Sequence, residues 1–408
     1  MKNKRILISG AGVAGLTLAY WLKQFGFTPT IVEKHPYLRT GGYKIDLRGA
    51  GLEVLKRMGV YPAISESRTA ISQAIFVNQE GQQVAEMSAD LCGTRVSGTD
   101  LEIMRGTLCQ ILKEAIGDVE FLFGNSITKT LEREDGIYVE FEKHSPRLFD
   151  LLIGADGLHS TVRRLVFGEE SHFFRELGIY VSVFSFPNFL KLTDCEIEHY
   201  SLRKFVNLYR DRKSANATAT IAFSHPKPFH SRDPKEQKQL LLEAFADSKW
   251  EMPKILSFLQ ESPDFYFDSM AQVHMPTWSK GKVTLVGDAA YSATPLSGQG
   301  TSIAIAGAYV LAGELLEAKG CSKTAFSHYE KLVRPFVHKN QKLADMGVKI
   351  MSGSSYSVWL YRLATFLPAQ ILHYFKNLAL KRTAKAANAL NLKDYHEKNC
   401  ERPQGSQI

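Results

Sequence analysis

The chain has 408 residues, 44% apolar and 23% charged, which is ordinary for a globular protein and too long for one simple core. Its 50 Lys and Arg outnumber 42 Asp and Glu, but the excess lies in residues 331–408, where 13 basic residues are scattered among 4 acidic ones; this reads as a solvated helical face, not as a nucleic-acid or lipid patch. Cys92, Cys109, Cys195, Cys321 and Cys400 are far apart and form no C-x-x-C pair, which argues against a disulfide framework or a zinc site and for the cytoplasm.

Residues 4–9, Lys-Arg-Ile-Leu-Ile-Ser, read as a short buried strand, followed by a Gly-rich turn and a helix from about Ala14 to Phe25 that Gly26 stops. Phe27 to Glu33 reads as the next strand and completes a β-α-β unit, which puts a parallel sheet at the start of the chain. Lys2, Lys4 and Arg5 precede an apolar run as in a leader, but Gly10, Gly12 and Gly15 break that run with a spacing of their own. No uninterrupted apolar stretch is long enough to span a membrane.

A second helix is predicted from Gly51 to Met58. Leu101 to Ala115 has helical spacing, with Leu101, Met104, Leu108, Ile111 and Leu112 on one side. Residues 137–142 and 149–153 read as strands, the second entering Gly154-Ala155-Asp156-Gly157. From about 172 to 270 the texture changes to alternating segments such as Ala217 to Phe223, the pattern of an antiparallel sheet. Val283 to Val286 reads as a buried strand entering Gly287-Asp288, and a long helix follows from about Gly300 to Ala318. Residues 322–392 read as mostly helical, with Pro335 and Pro368 as breaks.

Gly10-Ala11-Gly12-Val13-Ala14-Gly15 is a G-x-G-x-x-G between a strand and a helix, and Glu33 ends the following strand. A pyrophosphate has to approach backbone N–H groups at a helix N-terminus, where a Cβ would block it, and the acid can accept from ribose hydroxyls. The motif points to a dinucleotide without choosing between FAD and NAD.

Two further turns make that choice. Gly154-Ala155-Asp156-Gly157, running on through His159 to Arg163, follows one strand. Gly287-Asp288-Ala289-Ala290 follows another, with Pro295, Gly298 and Gly300 between it and a helix. In this order the three motifs resemble the flavin-dependent aromatic hydroxylases, over roughly residues 1–170 and 270–330. The resemblance implies an α/β fold: a Rossmann-like FAD-binding domain at 1–171 and 271–330, a sheet-rich substrate domain at 172–270, and C-terminal helices at 331–408 that close the substrate cavity. It implies tightly bound FAD, contacted by Gly10, Gly12, Val13, Ala14, Gly15, Glu33, Lys34, Arg39, Gly42, Asp46, Arg105, Asp156, Gly287, Asp288, Pro295, Gly298, Gly300 and Thr301. Asp288 would take the ribityl chain, and Arg105 would pin the cofactor. The family often has His and Asn where this chain has Tyr291 and Ser302, which leaves the hydrogen bonding beside the flavin ring open.

No acid, base, nucleophile or metal is demanded of the side chains, because the cofactor supplies the chemistry. NADPH, or NADH, would reduce FAD and dock transiently, since there is one G-x-G-x-x-G; O2 would then give a flavin C4a-hydroperoxide that transfers oxygen. Residues 39–51, 101–106, 264–268 and 287–300 resemble one branch of that family, the tetracycline-inactivating monooxygenases. This implies a tetracycline as the small-molecule partner, in a monomer, with Pro295, Leu296 and Phe223 against the substrate and Ile371, Phe375 and Leu378 on a closing helix at 369–390. His199, Arg203, Arg210 and His225 are polar candidates in the sheet-rich stretch. Three alternatives stay open: an epoxidase of an isoprenoid or other metabolite, a halogenase, for which the W-x-W-x-I-P segment is missing, and a flavoprotein acting as a binding or redox-sensing module.

Overall fold

The structure, a computed structural model, describes residues 2–39, 41–88, 100–351 and 381–395. Ile6, Leu7 and Ile8 are fully buried, which places the strand Arg5–Ser9 at the centre of a six-stranded sheet. Thr28–Glu33 and Leu151–Gly154 flank it in parallel. Glu120–Phe123 and Val283–Leu285 extend the sheet on either side, also in parallel, and Ser279–Lys280 ends one edge antiparallel. Continuous apolar strands such as Leu151–Gly154 are what a parallel sheet covered on both faces requires. Arg5–Ser9, Leu151–Gly154 and Val283–Leu285 are neighbours running in one direction, so their carboxyl ends bring the three motifs to a single edge.

The helix Val13–Gln24 leaves the first of these strands and packs between Gly300–Glu317 and Arg105–Ile116. The apolar spacing predicts a helix from Leu101, but Leu101–Met104 is a strand, paired antiparallel with Lys44–Leu47. Alternation decides it: Leu101 and Ile103 are buried while Glu102 and Met104 are less so. The helix therefore begins at Arg105 and sets that side chain at its N-terminus.

A seven-stranded sheet stands against this unit, in the order Tyr266–Val273, Phe174–Pro187, Asn216–Ser224, Lys204–Tyr209, Cys195–Ser201, Gln73–Val77, Gln83–Ser88. Its last two strands come from well before residue 172, where the change of texture sets in. One face packs on the helices Pro234–Ala244 and Met252–Ser257, with Tyr180, Phe184 and Phe223 inside. The other carries Val181, Val183 and Ala222 beneath Leu296, Val348 and Met351.

Pro335 does not end a helix. It lies inside Ser322–Met351, which runs on for 30 residues. An interior proline costs about 3 kcal/mol. Ala325, Phe326, Tyr329, Val333, Phe336 and Val337 are all nearly inaccessible on that helix, and large apolar side chains contribute about 1.5–3 kcal/mol each on burial, so packing wins. Pro368, Ile371, Phe375 and Leu378 lie outside the described residues, as does most of the expected closing helix. Residues 381–395 pack on the parallel-sheet unit: Tyr395 lies against Tyr309 and Phe25, and the Ala386 carbonyl accepts from Asn340. Among the described residues no helix is long and apolar enough to cross a membrane.

Candidate functional site

The three glycines of the first motif answer to different demands. Gly10 has φ +105° and a Cβ there would sit 2.6 Å from the Ala155 carbonyl oxygen; at Gly15 it would sit 2.0 Å from the Gly10 oxygen. Both are fixed by the chain's own packing. At Gly12 the only neighbour among the described residues is an Arg105 guanidinium nitrogen at 3.6 Å, so nothing in that packing requires glycine. The helix it opens has no side-chain cap and no acid in its first turn. Free N–H groups, a missing side chain and a guanidinium over them form a cradle for a pyrophosphate. Glu33 closes the turn, accepting from the Ala11 N–H at 2.8 Å and the His35 N–H at 2.9 Å; a carboxylate keeps further lone pairs for a ribose. The exposed Lys34 and Arg39 line the same opening as Gly12, Arg105 and Asp156. Gly42 borders the Arg105 stem, with φ +133°.

Asp156 staples the second turn. Its carboxylate accepts from the Ser160 hydroxyl at 2.5 Å and the Val162 N–H at 3.1 Å, and burial raises its carboxyl above the ordinary range. Arg163 is fully buried and ties this turn to the third motif, donating to the Ala289 carbonyl at 2.9 Å and to Glu170 at 3.1 Å. Asp288 lies deep among protein groups, where desolvation raises its carboxyl and Arg105 opposes that. Its side chain is nevertheless exposed. A residue both surrounded and accessible is on the wall of a cleft.

The helix Gly300–Glu317 repeats the arrangement at Gly12. It has no side-chain cap, no acid in its first turn, and no described residue within 4 Å of a Cβ placed on Gly300. Thr301 follows in the first turn. Gly287 is there for packing, since a Cβ would meet that of Ala14 at 2.9 Å. Thr294, before Pro295, holds φ +67° and ψ 151°, a region close to glycine-only, and is strained at the lip of the cleft. Gln299 is fully buried with neither amide atom partnered among the described residues, and Gly298 takes the left-handed turn before it. Two uncapped helix N-termini, a guanidinium, an accessible deep carboxylate and an orphaned amide fit an elongated dinucleotide carrying a polar ring.

Tyr291 turns into the core. It is buried against Trp278 at 4.6 Å, and its hydroxyl accepts from Tyr329 at 3.0 Å. Ser302 accepts from the Arg48 N–H at 3.2 Å, and Arg48 is ion-paired with Asp46. Asp46 is thus drawn to the start of the second uncapped helix.

Pro295 is exposed at the cleft and Leu296 packs toward the sheet. Phe223 is elsewhere: its neighbours Tyr180 and Phe267 belong to the far face, while Ala222 faces the cleft. A one-residue step along a strand changes the face. The polar candidates are held by local structure. His199 bonds the Val77 carbonyl and His225 the Lys227 carbonyl, Arg210 donates to the Ser214 carbonyl, and Arg203 forms a tight turn at φ +63°.

The cleft-facing wall holds residues to which the sequence motifs assign no role. Lys44 pairs with Glu196 and with Glu102, and Asn207 donates to Glu196 at 2.8 Å and to Glu198 at 3.3 Å. Desolvation, then Glu196, pushes the Glu198 carboxyl up to about 7. Tyr266 and Asp268 lie on the same face. The available signal was alternation, in Glu196-Ile197-Glu198 and in Phe265-Tyr266-Phe267-Asp268, where the polar residues share one side.

Comparison with known proteins bears on what such a cleft holds. A family model described as an FAD binding domain matches residues 3–343. A flavin-dependent monooxygenase from an unknown prokaryotic organism is 39% identical over 397 residues, covering 96% of this chain and 99% of that protein. The tetracycline destructase Tet(51) has a similar structure, with TM-score 0.85 and 36% identity over 97% of this chain and all of that one, 100%. Tet(55), also a tetracycline destructase, gives TM-score 0.84 and 38% identity over 96% and 99% of the two chains.

Proposed function

This chain belongs to the FAD binding domain family and is an FAD-dependent monooxygenase, and on that premise we propose that it oxygenates an electron-rich polycyclic substrate, inactivating tetracycline antibiotics in the cytoplasm. NAD(P)H dependence is general for the family. The likeness to Tet(51) and Tet(55) over nearly the whole chain supports this substrate class. The observation that carries the reading is the cleft itself, with two uncapped helix N-termini and Asp288 on one side and the sheet wall of Val181, Val183 and Ala222 under Leu296 on the other.

In this reading Gly12 and Arg105 hold the pyrophosphate, Glu33, Lys34 and Arg39 the adenosine end, and Asp288 the ribityl hydroxyls. The N-terminus at Gly300 and Thr301 would hold the ring end, where its partial positive charge would favour an anionic reduced form. Gln299 would offer its amide there. Once reduced, FAD supplies the activated oxygen. The protein holds the substrate beside it and keeps water out, with Leu296, Val348 and Met351 as the apolar cover.

The test is NADPH consumption by the FAD-loaded enzyme. Tetracycline should stimulate it, with loss of the drug's own absorbance. Unchanged consumption with each of several tetracyclines would overturn the substrate class.

A further inference from the structure

A chain of hydrogen bonds runs from the surface to the cleft through His159, which also borders the opening at Gly12 and Asp156. Tyr266 lies on the cleft face of its strand, 6.1 Å from the Tyr43 ring and packed near Leu296. Its hydroxyl donates to Asp268 Oδ2 at 3.2 Å. Asp268 Oδ1 lies 2.9 Å from His159 Nε2, and His159 Nδ1 lies 2.9 Å from Glu170 Oε1. Arg163 donates to the other Glu170 oxygen, and Arg232 stands 3.6 Å from Glu170 on the solvent side. Phe174 covers the imidazole.

Carboxylates at 2.9 Å from both ring nitrogens favour both donating, against the Arg232 guanidinium nitrogen 3.4 Å from Nδ1, and make His159 an imidazolium at neutral pH. Burial works against the charge, but the bonds to Asp268 and Glu170 prevail and hold the pKa at about 9. The ring joins the Gly154-to-Gly157 turn to the sheet wall, so Asp268 is fixed from behind. The only hydrogen of the Tyr266 hydroxyl is then committed to Asp268, and what its oxygen offers the cleft is a lone pair.

We propose that Tyr266 selects substrates that present a hydroxyl or enol O–H to it, and that the Glu170–His159–Asp268 chain positions it as an acceptor. This rests on the monooxygenase reading of the cleft. It also suits that chemistry, because a hydroxyl leaning its proton onto Tyr266 makes the attached carbon frame richer in electrons, which electrophilic oxygen transfer needs. His159 and Asp268 are positioning residues; Tyr266 is the one that meets the ligand.

The test compares naphthol with its methyl ether at neutral pH, with binding followed by the flavin absorbance of the FAD-loaded enzyme. The wild type should prefer naphthol by about tenfold, the worth of one hydrogen bond. Tyr266→Phe should bind the two alike. Asp268→Asn is the sharper variant. His159 still donates to the amide oxygen, so the amide nitrogen takes the Oδ2 place and donates to Tyr266, whose own hydrogen then turns to the cleft. The preference should shrink or invert toward the ether, which a loss of folding or of cofactor would not produce. Nitrogen NMR of the imidazole should show His159 titrating near 9, and lower in Asp268→Asn. An undiminished preference in Tyr266→Phe or Asp268→Asn, or naphthol leaving the flavin spectrum unmoved, would overturn the proposal. Naphthol discrimination in an enzyme that leaves tetracycline untouched would strike the substrate class alone.

Discussion

Gly12 separates a structural glycine from a ligand-made one. Gly10 and Gly15 are excluded from bearing a side chain by backbone atoms within 2.6 Å, whereas a Cβ on Gly12 meets one guanidinium at 3.6 Å. Gly12→Val should therefore fold, with an apo-protein melting point near that of the wild type, and purify colourless. Yellow protein with full FAD from this variant would refute the cradle. Glu198 makes a second test, of electrostatics. Its carboxyl titrates at about 7 in the folded chain against an ordinary 4.5. Across that interval the native state keeps a proton that the unfolded chain has released, so this group's contribution is present at low pH and is lost as pH rises through about 7. Glu198→Gln should gain on the wild type by roughly 1–3 kcal/mol between acid and mildly alkaline pH. Urea unfolding at a series of pH values measures it, and a difference independent of pH would contradict it. The sequence showed the motif residues because their types are dictated by local backbone geometry. It left the roles of Glu198, Asp268 and Tyr266 unread, because those roles depend on which strands lie side by side.

At the scale of elements, the return of residues 381–395 explains a buried charge. Glu314 is inaccessible, yet it accepts from Tyr395 at 2.8 Å, from Lys393 at 2.6 Å and from His328 at 3.2 Å. Tyr395 lies so close that a Cβ on Gly313 would be 2.2 Å from its ring. Gly313→Ala should destabilise the protein by about 1–3 kcal/mol through this overpacking. The same change should cost little in a Tyr395→Ala background. Thermal unfolding of the four proteins settles it, and an equal loss in both backgrounds would show that the contact is not the cause. Elements fixed by their own pattern were legible: the first strand, its helix and the helix from Gly300. Leu101–Met104 was not, because its partner strand lies more than fifty residues earlier, and four residues of apolar spacing fit either structure. Pro335 misled in the other direction, since a local penalty was outweighed by packing along the whole helix.

On the scale of the molecule, three motifs spread from residue 10 to residue 300 meet because three parallel strands are neighbours. That convergence could be anticipated from motif order alone. The opposing wall could not, since its strands are drawn from residues 73–88 as well as 174–273. We propose that this cleft passes oxygen from O2 to a polycyclic substrate. Mass spectrometry of tetracycline incubated with enzyme, NADPH and isotopically heavy O2 tests this. The product should carry one heavy oxygen atom and depend on NADPH. Product bearing oxygen from water, or unmodified drug while NADPH is oxidised and O2 is reduced only to hydrogen peroxide, would refute it.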